Sequence, residues 1–114
     1  SPHVRLAFDF SHFVQRGFDM VETARLLAPL SAFVHLKDRA VGEKALRFVL
    51  PGEGAINTGE LLKTLVTAGY RGPVVVEVSA QVHSQPGYSA RTAAEKSYQH
   101  LTTAWDAAGL ARPQ

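Results

Sequence analysis

The sequence predicts an α/β fold built from three consecutive βα units with parallel strands. Short apolar runs at residues 4–10, 32–36 and 74–78 alternate with longer stretches of helical periodicity. That alternation is the pattern of parallel strands joined by right-handed helical crossovers. The runs are nearly continuous in apolar residues, as suits strands buried on both faces. Each also carries an ionisable residue next to its C-terminal end, at the strand edge where parallel α/β folds bind ligands.

The first run, Val4-Arg5-Leu6-Ala7-Phe8-Asp9-Phe10, carries a carboxylate, Asp9, next to its end. Residues 11–17 follow as an irregular loop. Asp19 is placed to cap a helix over residues 20–29, with Val21, Ala24, Leu27 and Ala28 on one face. Pro29 marks its C-terminal end, because helix interiors exclude proline. The second run ends as Phe33-Val34-His35-Leu36-Lys37-Asp38, and a polar loop then reaches to Leu50. Pro51-Gly52-Glu53-Gly54 closes that loop tightly. Asn57 or Thr58 caps the next helix, whose buried face is Leu61, Leu62, Leu65, Val66 and Ala68. Gly69 ends it. The third run, Val74-Val75-Val76-Glu77-Val78, is the most β-branched and reads as a central strand. A polar loop over residues 79–89 carries His83. The last helix spans residues 90–108, with Ala93, Ala94, Ser97, Tyr98, Leu101, Ala104 and Trp105 as its packing stripe. Gly109 stops it, and residues 111–114 form a tail expected to fray.

Composition narrows the function. With 114 residues the chain suffices for a single domain, 1–114, with a modest core. Twelve basic and ten acidic residues leave a net charge of only +2, with no Lys/Arg cluster. A nucleic-acid or membrane footprint is therefore not expected. There is no cysteine, which excludes disulfides and thiolate metal sites and fits a cytoplasmic setting. The N-terminus lacks the basic, apolar and small-residue succession of a signal peptide, and Ser1-Pro2 reads as a boundary set just ahead of the first strand.

The carboxylate, imidazole and carboxylate at the three strand ends, Asp9, His35 and Glu77, read as ligands of one divalent metal. Such oxygen and nitrogen donors suit Mg²⁺, Mn²⁺, Co²⁺ or Zn²⁺. Taken singly, Asp9 also reads as a loop cap, and His35 as a buried histidine with a partner. His12 also reads as a solvated loop residue. Glu77 ends so apolar a run that an unpaired buried carboxylate would cost several kcal/mol, on the order of any buried charge. Beyond His35, Lys37 and Asp38 alternate in direction, so that one of the two is a candidate to orient a ligand or meet substrate, and Glu53 is a further loop candidate for substrate.

Phe8-Asp9-Phe10-Ser11-His12, Val34-His35-Leu36-Lys37-Asp38, Leu50-Pro51-Gly52-Glu53-Gly54, Gly69-Tyr70-Arg71-Gly72 and Val76-Glu77-Val78 occur in order. Together they resemble the C-terminal part of the xylose-isomerase-like TIM barrels. This superfamily includes sugar isomerases and epimerases, inosose and 3-dehydroshikimate dehydratases, and endonuclease IV. The resemblance covers nearly the whole chain. It implies that these are the last three units of an eight-unit barrel, and that Asp9, His35 and Glu77 bind one divalent cation. It also implies a fourth ligand, a Glu on an earlier strand, without counterpart in this sequence. Glu77 is implied as one member of an acid/base pair and His12 as a substrate-side residue. The expected function is part of a metal-dependent sugar, polyol or keto-acid isomerase or epimerase, in which the metal stabilises an enediolate while a carboxylate moves a proton. A dehydratase of the same fold is the alternative. A non-catalytic fragment that needs the missing barrel half or a second copy is another, because three units cannot close a barrel. The endonuclease branch fits poorly. Its three-zinc site needs an Asp-x-His after the seventh strand, and residues 39–54 hold neither Asp nor His.

Overall fold

The computed structural model describes residues 1–42 and 44–112. Glu43 of the long loop, and residues 113 and 114 of the tail, lie outside the described residues. The elements run β1 (Leu6–Asp9), α1 (Ser11–Val14), α2 (Met20–Leu27), a 3₁₀ turn (Ala28–Leu30) and β2 (Ser31–Leu36). They continue with β3 (Asp38–Arg39), β4 (Phe48–Val49), α3 (Thr58–Thr67), β5 (Val74–Val76), α4 (Ala80–His83) and α5 (Ala90–Ala107). The three predicted βα units are all present and their strands are parallel, in the order β1-β2-β5.

Register sets the two faces of this sheet. Phe8, Val34 and Val74 share one row, and Asp9, His35 and Val75 the next. Neighbouring rows point to opposite sides. Phe8, Val34 and Leu36 are buried against α2 and α3, joined by Ala24, Leu61 and Leu65. The opposite face carries Asp9, His35 and Val75, and by the two-residue period also Phe33, Lys37 and Glu77. The helices are capped as their sequences require. The Asp19 carboxylate accepts from the Glu22 N–H at 2.8 Å, and the Asn57 side chain accepts from the Glu60 N–H at 3.1 Å. Gly69, after α3, has φ +91°, a left-handed turn that glycine tolerates.

Several expectations need correction. Val74–Val76 lies at an edge of the three-stranded sheet, and β2 is its centre. The valine run marks neither a central nor a fully buried strand, since none of its residues is buried and Val75 is 38% exposed. Residues 11–14 form a helical turn where a loop was expected, because the Asp9 carboxylate receives the Ser11 N–H at 3.0 Å and so bends the chain. The long loop is tied by the antiparallel pair β3–β4, whose two-residue strands are too short for a periodic signal. Residues 80–83 form another short helix. On α5, Ala93 and Ser97 are buried, but Tyr98 is 70% exposed rather than packed on the sheet. Val21 of α2 is likewise exposed, and Thr23 is buried.

Candidate metal centre

Asp9 ends β1, His35 sits one residue before the end of β2, and Glu77 follows directly on β5. Pairing of β1, β2 and β5 therefore brings all three to one end of one face. Each offers a ligand atom, and those atoms lie within 4.8 Å of one another. Opposite donors on an ion with bonds near 2.1 Å stand about 4.2 Å apart, so small side-chain adjustments close the arc. Two carboxylates and an imidazole, with no sulfur, form a donor set that fits a hard or borderline divalent cation.

The three donors are held differently. One Asp9 oxygen accepts from the Ser11 N–H at 3.0 Å and from the Ser11 hydroxyl at 2.5 Å. The other oxygen, Oδ2, faces the cluster, and the side chain is only 11% exposed. Asp9 thus does cap the α1 turn while presenting its second oxygen to the site. The Glu77 side chain is 41% exposed, and its Oε2 lies 3.4 Å from His35 Nδ1. The Phe33 ring meets His35 edge-on, centroids 4.8 Å apart, which restricts the imidazole's orientation.

Lys37 enters the same cluster. Its ammonium Nζ stands 3.2 Å from Asp9 Oδ2 and 3.1 Å from Glu77 Oε2, with the side chain 5% exposed. The Phe48 ring lies 4.4 Å from Nζ, a cation–π distance. His12 stands at the rim, 60% exposed, with Nε2 3.5 Å from Asp9 Oδ2. Its ring meets the same Phe48 at 6.1 Å.

Two candidates are not brought to the cluster. Asp38 is 1% exposed, and both its oxygens are taken by main-chain donors. Oδ1 accepts from Arg39 and Ile56 at 2.8 and 2.9 Å, and Oδ2 from Gly52 and Gly54 at 3.1 and 3.2 Å. It anchors the Gly52–Gly54 turn instead of meeting substrate, because the β3 backbone turns it under that loop. Glu53 points to the surface, with Oε1 4.0 Å from Lys96 Nζ of α5. Two contributing residues carried no role in the sequence reading. Ser11 follows Asp9 by two positions, a spacing at which Asp habitually bonds the main chain, so that signal was legible. Phe48 reaches Lys37 only through the β3–β4 pairing, which no local pattern announces.

The sequence profile of the xylose isomerase-like TIM barrel matches residues 1–104. The chain belongs to that family. Among solved structures, a xylose isomerase domain protein from Alicyclobacillus acidocaldarius is 30% identical with a TM-score of 0.74. The match covers 96% of this chain and 39% of that one. A xylose isomerase domain protein from Planctomyces limnophilus superposes with a TM-score of 0.75 at 22% identity, over 96% and 40% of the two chains. That match supports the fold alone. Uncharacterized proteins of Mycobacterium tuberculosis and Mycobacterium bovis are each 34% identical over 94 residues. The aligned region is 82% of this chain and 31% of theirs, so the chain spans about a third of these curated relatives. Within the family's (β/α)₈ architecture, a three-stranded parallel sheet is part of a barrel. Among the described residues, no helix is long and apolar enough to cross a membrane.

Proposed function

We propose that this chain supplies the metal-holding face of a divalent-metal-dependent active site that isomerises or epimerises a sugar or a sugar-like polyol or keto acid in the cytoplasm. The convergence of Asp9, His35 and Glu77 from three adjacent strand ends carries the reading. A bound Mn²⁺, Mg²⁺, Co²⁺ or Zn²⁺ would supply Lewis-acid stabilisation of the two oxygens of an enediolate. Asp9, its side chain only 11% exposed and pinned by Ser11, is the rigid donor. His35, held by Phe33, is the middle donor. Glu77 is the more exposed carboxylate and the one suited to take a proton from the carbon beside a carbonyl. His12, at the rim, is placed to meet a substrate oxygen. Lys37, between the two carboxylates, offsets one of their two charges.

Titration of the chain with Mn²⁺ by calorimetry tests the site. One ion should bind per chain, and Glu77→Gln or His35→Ala should weaken binding by about a hundredfold or more, as loss of a direct ligand outweighs the 10–100-fold typical of an outer-shell partner. Binding that survives both substitutions unchanged would place the ion elsewhere.

A second reading concerns completeness. β1 and β5 are the edges of the sheet among the described residues, and Leu6 and Val75 are 40% and 38% exposed. Open strand edges with apolar neighbours recruit further strands. The reading is that catalysis requires association, either with preceding βα units of a longer protein or with a second copy. Light scattering after size exclusion should give a mass above the 12.4 kDa monomer. A stable monomer with a cooperative melt would argue against it.

A further inference from the structure

Asp9 Oδ1 is committed to Ser11, so the oxygen it can offer an ion is Oδ2. That atom is already 3.2 Å from the Lys37 ammonium, and the facing Glu77 Oε2 is 3.1 Å from it. We propose that Lys37 is a built-in cation that competes with the divalent ion for these two carboxylate oxygens, so that the ion binds only as Nζ withdraws. The inference rests on the metal-centre reading and adds a determinant of its affinity.

Four observations support competition over coexistence. Lys37 follows His35 by two positions and stands in the Glu77 row, where the Glu77 N–H donates to the Leu36 carbonyl at 3.0 Å. The strand therefore delivers its ammonium to the same face and end as the three donors. The side chain is 5% exposed, so water screens it poorly from a neighbouring ion. A dication bonded to Oδ2 would lie within about 5.3 Å of Nζ, the 3.2 Å contact plus a bond of about 2.1 Å. At such separations like charges repel, with the buried ammonium shielded little from the ion and the 41% exposed Glu77 side letting water screen part of the effect. The Phe48 face, 4.4 Å from Nζ, gives the ammonium a second favourable partner once the carboxylates are taken. From there it can donate to a substrate oxygen. Sugar chemistry that develops negative charge on oxygen makes use of such a donor.

The test compares Mn²⁺ binding by the wild-type chain, Lys37→Met and Lys37→Arg, with calorimetry as the readout. Met keeps length and apolar bulk but removes the charge. Its dissociation constant for Mn²⁺ should be lower by about tenfold or more, the scale of one removed unit charge near the ion, while Arg stays near wild type. Equal or weaker binding by Lys37→Met overturns the inference and leaves the metal centre standing. Absence of binding in all three proteins removes the metal-centre reading and the inference with it. Should Lys37→Met fail to fold, the wild-type chain decides through the ¹⁵N-detected ammonium resonances of its lysines. Saturation with diamagnetic Zn²⁺ should shift the Lys37 signal and speed its proton exchange. An unchanged Lys37 signal at saturation overturns the proposal.

Discussion

Replacing Asp38 by Asn tests whether the loop above the site is held by one buried carboxylate. Asp38 accepts four main-chain N–H groups, two on each oxygen, and is 1% exposed. Asn keeps the shape but turns one acceptor into an NH₂ donor. Whichever way the amide is placed, two N–H groups then face a donor. Hydrogen bonds to a charged acceptor contribute about 1.5–3 kcal/mol each, and partial hydration of the turn will recover some of the loss. A net destabilisation of about 3 kcal/mol follows, a large share of the 5–15 kcal/mol typical of a domain. With a urea slope of about 1.5 kcal/mol/M, the unfolding midpoint should fall by about 2 M. Amide exchange gives a local check. Gly52, Gly54 and Ile56 should be protected in the wild type, and some of that protection should be lost in the variant. An Asp38→Asn chain within about 0.5 kcal/mol of wild type, with those amides still protected, would refute the reasoning.

Two further outcomes follow from packing and burial. At Gly54 an added Cβ would collide with the Arg39 carbonyl oxygen and crowd Asp38 Oδ1, so Gly54→Ala must displace backbone. Its melting temperature should drop by roughly the several degrees that accompany a loss of 1–3 kcal/mol. Burial raises the Tyr70 pKa above its ordinary 10.0, because the fold favours the neutral phenol. That stabilisation is fully present below pH 10 and is lost as pH rises through the raised folded value. Tyr70→Phe should flatten the alkaline decline in a pH series of urea melts. It should also cost about 1 kcal/mol at neutral pH through the lost 2.6 Å bond to the Pro73 carbonyl.

What the sequence disclosed depended on the range of the interactions involved. Asp19 and Asn57 were legible as caps because a cap bonds an N–H only three residues on. Leu61, Leu62 and Leu65 were legible because helix burial repeats locally. The arc of Asp9, His35 and Glu77 was legible because parallel strands align their C-terminal ends on one side, so three local patterns predict one remote cluster. Asp38 was misjudged on the same logic. Its position beyond His35 suggested the site, yet its partners at Gly52, Gly54 and Ile56 are 14, 16 and 18 residues away. Nothing in residues 37–39 reveals those partners. Phe48 was missed for the same reason. Tyr98 misled because helical periodicity defines a stripe but not how wide a neighbour will cover it.

The charge of the site and the openness of the sheet are linked. Asp9 and Glu77 together carry two negative charges on one face, and Lys37 neutralises one of them. A single dication can therefore neutralise the pair only where the ammonium moves aside. The three donors arise from adjacent strands, so they reach an ion from one side. A divalent cation of this class takes about four to six ligands, and those on the far side must come from substrate, water or a polypeptide facing the sheet. The edges of β1 and β5 and the exposed Leu6 and Val75 are where such a polypeptide would pair. Strands added at those edges would bring their own inward-facing ends towards the arc, because parallel pairing repeats the alignment that gathered Asp9, His35 and Glu77. In that arrangement, burying the apolar edges and completing the coordination sphere are one event. Ion affinity should then rise with association, so Mn²⁺ binding and oligomer formation should depend on each other's concentration by linkage.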